Sequence, residues 1–443
     1  MPLPRNRSRL ALALAAAGVV ATAGPATGQL LGGGLGGLPG GGLPRGLSDV
    51  PRALDVPDTV RRASDTAQEI ARAPLDQVRR LTAASLIRDH RDVIEADDAG
   101  RPVVRGEILA LGVTPAAAQR LRQAGFTLRT NPDLAELGLD SATLKSPRGL
   151  SAVEAVRRLR ELDPDGQYDF NHLYQESGMA PALTAAAGAG AASAGDGRGL
   201  RVGLIDGAVA ASRPALANAS LTQQGFAAGA PRPTAHATAV ASLLAGSAPA
   251  FRGAAPGASL YVADVYGSTP TGGSAQAVAR ALAWLSHDGG PVINISLVGP
   301  PNLVLEAAVK AVIARGHILV AAVGNDGPAA PPLYPAAYPG VVAVTGVDPG
   351  RRVLPEAGRG THVDFAAQGS GLKAAAAGGG LAPVRGTSFA APIVAGALAL
   401  RLKAPDRAGA AQAIEALGRE AADLGSPGAD PIYGRGLVGG IRP

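Results

Sequence analysis

The chain has 443 residues, of which 17% are charged, 3% are aromatic and none is cysteine, and its formal net charge is +6. Without cysteine it has no disulfides, thiolate metal sites or thiol nucleophile, so covalent chemistry would use Ser, Thr, Lys, His or a carboxylate. The positive charge is too small and too dispersed to indicate a nucleic-acid partner. The length predicts two or three domains, since domains usually have roughly 100–200 residues.

The N-terminus has the pattern of a secretory signal peptide. Three arginines within the first nine residues precede an apolar run at 10–20, and small-residue cleavage sites follow at 21–23 and 26–28. The run is short for a membrane span, which needs about 20 apolar residues. We therefore predict a signal peptide at 1–28 and an exported, periplasmic or extracellular protein with no membrane span after its removal. The alternative is an uncleaved anchor.

Three further stretches have the composition of connectors or of isolated helices. Residues 29–50 contain mainly Gly, Leu and Pro, which is typical of a low-complexity linker. Residues 51–95 show helical spacing interrupted at Pro57 and Pro74, and predict two or three helices of unassigned role. Residues 176–198 are rich in Ala, Gly and Ser and predict a second linker, because they hold too few large side chains to fold alone.

Between the linkers, residues 101–175 alternate strand and helix patterns in the order β-α-β-β-α-β. Thr114 and Pro115 suit the start of the first helix, with Thr as N-cap and Pro at the first position. Strands are predicted at 103–111, 126–129, 142–145 and 168–174, and helices at 115–123 and 151–162. This is the split βαβ pattern. It carries no catalytic cluster and by itself indicates a small α+β binding or scaffold domain.

The remainder of the chain alternates short apolar runs with helical patterns. Such runs are typical of parallel strands covered on both faces. Strands are predicted at 202–206, 260–265, 292–297, 318–322 and 341–344, and helices at 237–244, 275–285 and 303–315. We therefore predict an α/β fold with a doubly wound, mostly parallel sheet, whose functional site lies at the carboxyl ends of the strands.

Four polar residues stand where those strands end or where helices begin. Asp206 ends the first strand, His236 opens an apolar helix, Asn325 follows the fourth strand, and Ser388 lies at the start of a helix running to Leu402. Hydrolysis at an acyl centre needs these four types. A hydroxyl attacks, an imidazole takes and returns its proton, a carboxylate fixes the imidazole tautomer, and a neutral donor holds the oxyanion.

Each of the four residues also has an ordinary structural explanation. Asp206 could be a turn or capping residue, His236 a satisfied buried histidine, Asn325 part of a Gly-Asn-Asp-Gly turn, and Ser388 an N-cap. The combination of all four in this order is much less expected by chance than any one alone.

The segments around these residues resemble the subtilisin-like serine proteases, the subtilase family (peptidase S8). Residues 386–392, Gly-Thr-Ser-Phe-Ala-Ala-Pro, match its nucleophile motif, and 322–325 followed by Tyr-Pro-Ala at 334–336 match its oxyanion segment. The run Ile-Asn-Ile-Ser-Leu at 293–297 matches its substrate-lining strand, and 433–438 resembles its closing turn. The order Asp, His, Ser is that of subtilisin. The resemblance implies a subtilisin-like catalytic domain at 199–443.

The resemblance implies a secreted serine endopeptidase that cleaves protein or peptide substrates through an acyl-enzyme. It makes Ser388 the nucleophile, His236 the general base and then acid, and Asp206 the orienting carboxylate, while Asn325 and the Ser388 backbone N–H form the oxyanion hole. The substrate-binding residues that it implies are Ser296, Leu297, Val298 and Gly299, as a strand pairing with the substrate, and Ala322 and Gly324, as a pocket wall of weak apolar preference.

Two positions depart from the family pattern. Gly207 stands where the family usually has Ser or Thr, which predicts a less firmly held Asp206. Ala237 stands where it usually has Gly, which predicts a narrower cleft. An alternative is therefore a catalytically weak or silent subtilase fold that acts as a binding or regulatory protein. A serine esterase of the α/β-hydrolase type is disfavoured, because Ser388 lacks the Gly-x-Ser-x-Gly elbow and the triad order differs.

Subtilases commonly carry an inhibitor-I9-like βαββαβ propeptide that assists folding and inhibits the protease, and residues 168–174 resemble its last strand. The resemblance therefore implies a zymogen whose own propeptide is its intramolecular inhibitor and chaperone, with self-cleavage in an exposed stretch from Tyr174 to Arg198. No cofactor or metal site is predicted from the residues. Many subtilases bind structural calcium, so the resemblance leaves structural calcium open, without an identifiable site.

Overall fold

The computed structural model describes residues 75–177, 196–248 and 251–439. The predicted signal peptide, the first linker, residues 51–74 and residues 178–195 of the second linker lie outside the described residues. Within the described part, none of the helices has the length and apolar character needed to cross a bilayer.

The N-terminal elements form one helix followed by an antiparallel α+β domain. They are α1 (Leu75–Asp89), β1 (Ile94–Ala96), β2 (Pro102–Leu111), α2 (Pro115–Gln123), β3 (Thr127–Thr130), α3 (Pro132–Ala135), β4 (Ser141–Lys145), α4 (Ala152–Leu162) and β5 (Gln167–His172). The strands lie in the order β5-β2-β4-β3, and β1 pairs with the start of β2. The β-α-β-β-α-β order predicted for this part is thus confirmed, with α3 as an addition.

Local sequence signals explain where the two main helices of this domain begin. The Thr114 hydroxyl accepts a hydrogen bond from the backbone N–H of Ala117, and Pro115 occupies the first helical position. Ser151 and Glu154 form a reciprocal capping box at the start of α4. Both signals satisfy backbone N–H groups that a helix end otherwise leaves without acceptors.

The C-terminal part is built on a seven-stranded sheet. Its strands are β7 (Arg201–Asp206), β8 (Leu221–Gly225), β11 (Ser259–Asp264), β12 (Val292–Ile295), β14 (Ile318–Ala322), β15 (Val342–Val347) and β16 (Val363–Gln368). They lie in the order β16-β15-β14-β12-β7-β11-β8, and every neighbouring pair is parallel. The short strands outside it are β6 (Gln175–Glu176), β9 (Ser247–Ala248), β10 (Phe251–Arg252), β13 (Leu297–Val298), β17 (Leu372–Ala375) and β18 (Leu381–Val384). The helices are α5 (Ala235–Ala245), α6 (Ala275–Asp288), α7 (Leu303–Ala314), α8 (Thr387–Ala399) and α9 (Arg407–Glu420).

Helices cover both faces of this sheet, which confirms the predicted doubly wound α/β class. Alternate residues of each strand enter different cores: Leu204 packs with α5 and α8, while its neighbour Ile205 packs with α6 and α7. Because both faces are buried, the central strands are continuously apolar. The five predicted strands are these central ones, whereas β8, β16 and α9 were not predicted.

The sheet of the α+β domain packs against α6 and α7. Leu109 and Leu134 join the same buried cluster as Leu282 of α6. The Asp169 carboxylate accepts a hydrogen bond from the backbone N–H of Leu303, the first residue of α7, at 2.8 Å. This docking fixes the direction of β5, so that the chain leaving it runs along the carboxyl ends of the parallel strands.

Candidate active site

Asp206 and His236 are brought together by the end of β7 and the start of α5. The His236 Nδ1 lies 2.9 Å from one Asp206 carboxylate oxygen and 3.1 Å from the other. The backbone N–H of Gly207 donates to the same carboxylate at 2.7 Å. The Thr234 hydroxyl caps α5 by accepting from the N–H of Ala237 at 3.0 Å. The Nδ1 atom of the imidazole is therefore bound to the carboxylate, and its Nε2 atom is not used in this contact.

The charges around His236 favour its protonated form. Burial alone lowers the pKa of this imidazole, but the Asp206 carboxylate, by charge and hydrogen bonding, and the nearby Glu176 carboxylate raise it to about 9. Burial also raises the pKa of Glu176, with the His236 cation opposing that rise. With Glu176 in place, the two carboxylates thus favour the imidazolium form of His236, which cannot act as a base.

Ser388 and Asn325 meet at the N-terminus of α8. The Asn325 side-chain oxygen accepts a hydrogen bond from the backbone N–H of Thr387 at 3.1 Å, which leaves its amide nitrogen free to donate. Four buried side-chain atoms of these residues and of His236 have no hydrogen-bond partner among the described residues: Asn325 Nδ2, Thr387 Oγ1, Ser388 Oγ and His236 Nε2. The His236 ring lies 5.3 Å from the ring of Phe389, the residue after Ser388, so α5 and α8 bring these atoms to the same region. Unpaired buried polar atoms are costly, which makes this region a candidate functional site.

Ser296 connects the predicted substrate strand to the serine. Its hydroxyl accepts a hydrogen bond from the Asn294 side chain at 2.8 Å and donates one to the backbone carbonyl of Ser388 at 3.1 Å. All three residues are fully buried. The backbone of 296–298 is therefore fixed directly beside Ser388.

The chain that follows β5 occupies the groove beside this strand. Strand β6 pairs antiparallel with β13, and the backbone N–H of Ser177 donates to the carbonyl of Ser296 at 3.2 Å. On the other side of the groove, the N–H of Tyr174 donates to the carbonyl of Gly273 at 2.7 Å. Residues 174–177, which we call the tail, are thus held between two backbone segments as a substrate strand would be.

The burial of the tail contradicts the predicted exposure of the whole stretch from Tyr174 to Arg198. Tyr174 and Ser177 are each only 1% exposed. The Tyr174 hydroxyl donates to the carbonyl of Pro300 at 2.5 Å, and its ring lies where a side chain at Gly299 would be, 2.6 Å from that Cβ position. The polar and small residues of the stretch suggested exposure, but pairing with a distant strand buries Tyr174 and Ser177 and partly buries the two residues between them.

The remaining predicted substrate residues lie around the same groove. Gly299 does not pair with the tail, because its N–H and carbonyl are both bonded to the backbone of Tyr334. Ala322 is fully buried at the end of β14. Gly324 precedes Asn325 with φ of +96°, and a Cβ there would lie 2.5 Å from Leu333 Cδ1. Glycine is therefore required for the turn that presents Asn325.

The structure gives a physical reason for the two departures from the family pattern. A Cβ at Gly207 would lie 2.6 Å from the Thr234 methyl group and 3.0 Å from its hydroxyl, so Thr234 fills the space of a side chain there. Asp206 keeps a short hydrogen bond from the Gly207 backbone. The methyl group of Ala237 is fully buried in the core cluster of α5 and α8.

The helix α1 contributes a contact that the sequence did not predict. The Arg79 guanidinium forms a bidentate ion pair with Asp326, the residue after Asn325; one of its hydrogen bonds measures 2.9 Å. Another guanidinium nitrogen lies 3.4 Å from the side-chain oxygen of Gln175 in the tail. Because the two residues of the ion pair are 247 positions apart, no local pattern could have indicated it.

The described residues contain one group of three acidic or histidine side chains close enough to share a metal ion. It consists of Glu176, Asp206 and His236, whose ligand atoms lie within 4.8 Å of one another. Asp206 and His236 already bind each other through Nδ1. We therefore interpret this group as a catalytic pair approached by the tail.

The parallel sheet with helices on both faces is the fold of the subtilisin-like serine endopeptidases, and comparison of the whole sequence agrees. The sequence profile of the subtilase family matches residues 197–436, more than half of the chain. The chain therefore belongs to this family.

Individual relatives agree with this assignment. The chain is 36% identical to Subtilisin Savinase of Lederbergia lenta over 187 residues, which is 42% of this chain and 68% of that protein. It is 32% identical to Subtilisin DY of Bacillus licheniformis over 251 residues, 55% of this chain and 89% of that protein. Among solved structures, it resembles fervidolysin of Fervidobacterium pennivorans, described as a keratinolytic enzyme related to subtilisin. The TM-score is 0.64 at 19% identity, over 76% of this chain and 60% of that chain. The structural likeness supports the fold.

Proposed function

We propose that this protein is made as an exported zymogen of a serine endopeptidase, in which the α+β domain is the propeptide and inhibits the enzyme. The observation that carries this proposal is the seating of the tail. Residues 174–177 follow the last strand of the α+β domain and pair with backbone on both sides of the groove beside Ser388. The tail thus blocks the position that a substrate would take.

The side chains of the site support an acyl-transfer mechanism. The His236 Nε2 takes the proton of the Ser388 hydroxyl as its oxygen attacks a peptide carbonyl, and Asp206 stabilises the resulting imidazolium. The Asn325 amide and the Ser388 backbone N–H, which lies among the first N–H groups of α8 that have no acceptor within the helix, receive the oxyanion. The imidazolium then gives its proton to the leaving amine, and water hydrolyses the acyl-enzyme by the same steps.

The backbone register points to the bond that the zymogen cuts. Ser296 is bonded to the carbonyl of Ser388, and Ser177 is the last tail residue that pairs with Ser296. The carbonyl of Ser177 is thus the next peptide group toward the nucleophile. We infer that self-cleavage breaks the bond between Ser177 and Gly178, within the predicted linker but at its buried end.

The test is expression of the full chain in a protease-deficient host, followed by intact mass measurement and N-terminal sequencing. The expected result is a new N-terminus at Gly178 in the wild type and none in Ser388→Ala. Ser286→Ala, which alters a serine in α6 far along the chain from the motif, is the matched control and should be cut like the wild type. Cutting of Ser388→Ala at the wild-type rate would refute self-cleavage.

The second candidate function, a silent subtilase fold that only binds peptides, is motivated by Gly207 and Ala237. The close contact of Thr234 with Gly207 and the burial of Ala237 explain both residues without loss of the acid–base pair. A fluorophosphonate probe separates the two functions. The enzyme is labelled at Ser388 after processing, whereas a silent protein remains unlabelled.

A further inference from the structure

The side chain of Glu176 lies at an unusual place for a carboxylate. It is the second residue of β6 and stands opposite Leu297 in the antiparallel pair with β13. Its carboxylate lies within 4.8 Å of ligand atoms of both His236 and Asp206. A carboxylate this close to another buried carboxylate is unfavourable unless cationic or hydrogen-bonding groups compensate.

Two groups of α5 supply that compensation. Burial raises the pKa of Glu176, and the His236 cation and the Thr234 hydroxyl both lower it. Thr234 is also the N-cap of this 11-residue helix, so the carboxylate lies at the positive end of the helix dipole. The carboxylate thus has a hydrogen-bond donor, a cation and a helix end as neighbours.

We propose that the cleft contains a subsite for an acidic side chain, formed by Thr234 and His236, at the substrate residue that immediately precedes the one whose carbonyl carbon is attacked. This inference rests on the proposed endopeptidase function and deepens it by naming a substrate class: peptides with Glu at that position. In the zymogen, Glu176 of the tail fills the subsite.

The acidic side chain contributes to the reaction as well as to binding. During attack by Ser388, His236 becomes an imidazolium, and a carboxylate beside it stabilises that charge. The same carboxylate raises the pKa of the His236 imidazole while the substrate is bound. A higher pH is therefore needed to give the neutral imidazole that acts as the base. We therefore expect a substrate with Glu at this position to be turned over faster at alkaline pH. We also expect the acid limb of its kcat–pH profile to lie at higher pH.

Other ionisable groups face the same space and have to be considered in a pH profile. Asp206 lies at the end of β7, and Tyr266 lies in the loop after β11. The charged groups Arg79 and Asp264 also act on the Tyr266 phenol. Burial raises the pKa of Tyr266 well above its usual range, so this phenol stays neutral in the range of interest. The pKa of His236 is raised to about 9, and this imidazole must lose its proton before it can act as the base.

The first experiment compares two peptides on wild-type protein expressed as the full chain and allowed to process. The peptides carry Tyr-Gln-Glu-Ser or Tyr-Gln-Gln-Ser before the cleaved bond. We expect kcat/KM on the alkaline plateau to be about tenfold higher for the Glu peptide, the effect of about one pKa unit, with the acid limb of its kcat at higher pH. Thr234→Asp keeps a good helix cap but adds a negative charge, and should abolish the preference.

The second experiment uses the intact chain, in which cleavage is intramolecular. Glu176→Gln should move the acid limb of the self-cleavage rate to lower pH and slow the rate on the plateau. The matched control, Glu176→Gln combined with Gln175→Glu, keeps the net charge but moves the carboxylate from His236 toward Arg79, and the acid limb of its self-cleavage rate should coincide with that of Glu176→Gln alone.

Equal kcat/KM for the two peptides with coincident acid limbs would overturn the acidic subsite, while leaving the endopeptidase function intact. No turnover of either peptide, with no fluorophosphonate labelling of Ser388, would overturn both proposals.

Discussion

Removal of the Arg79 side chain should release the proposed inhibitor faster. Arg79 links α1 to Asp326 through a bidentate ion pair and reaches Gln175 in the tail. The two side chains of the pair are 25% and 15% exposed, so solvent screens them only partly. Hydrogen bonds to charged groups contribute about 1.5–3 kcal/mol each when buried, and we take about 1–2 kcal/mol for the whole contact after allowing for this exposure.

A loss of about 1–2 kcal/mol corresponds to a roughly 5–30-fold shorter half-time of activation for Arg79→Ala. The assay follows the appearance of activity on a general protein substrate after purification of the full-length protein. Arg80→Ala is the matched control, because Arg80 is the exposed neighbour on the same helix. Equal activation half-times for the wild type, Arg79→Ala and Arg80→Ala would refute the contribution of this ion pair to inhibition.

Three further outcomes are expected. Asn325→Ala should lower kcat by about 10²–10³, the cost known for the oxyanion-hole asparagine of subtilisin itself, and a steady-state assay that finds kcat unchanged would exclude this role. Gly207→Ser should lower the free energy of unfolding, measured by urea denaturation, by about 1–3 kcal/mol through its clash with Thr234. The double variant with Thr234→Ser removes the clashing methyl group but keeps the hydroxyl that caps α5, and should recover part of that loss. The self-cleavage rate of the wild type should rise with pH up to about 9, because His236 must lose its proton to act as the base. A self-cleavage rate that stays constant from about three pH units below this pKa up to the pKa itself would contradict the assignment of His236 as the base.

Local signals in the sequence were sufficient for the elements that carry their own pattern. Helix α2 begins where its Thr114 cap indicated, because a cap depends on residues within three positions of one another. Helix α4 begins within one residue of its predicted start. The five central strands were predicted because burial on both faces makes them continuously apolar. Strand β8 was not, because Leu-Thr-Gln-Gln-Gly lies at the sheet edge and is mostly exposed.

Contacts between distant parts of the chain could not be predicted in this way. The tail was expected to be exposed, yet Ser177 pairs with Ser296, 119 residues later. The apparent defect at Gly207 is explained only by the proximity of Thr234 across a loop. In both cases the residue is small, so the neighbouring sequence does not determine whether it is buried or exposed. Its environment depends on contacts with residues that are distant in the chain.

The covalent path of the tail has a consequence for when the enzyme is active. Before cleavage, residues 75–177 and the catalytic domain are one molecule, so the tail meets the groove at an effective concentration on the order of millimolar, whatever the dilution. Once the bond after Ser177 is broken, the same contacts become bimolecular, and the occupied fraction of the groove falls as the protein is diluted. Active enzyme would therefore appear mainly after the protein disperses from the place where it is made.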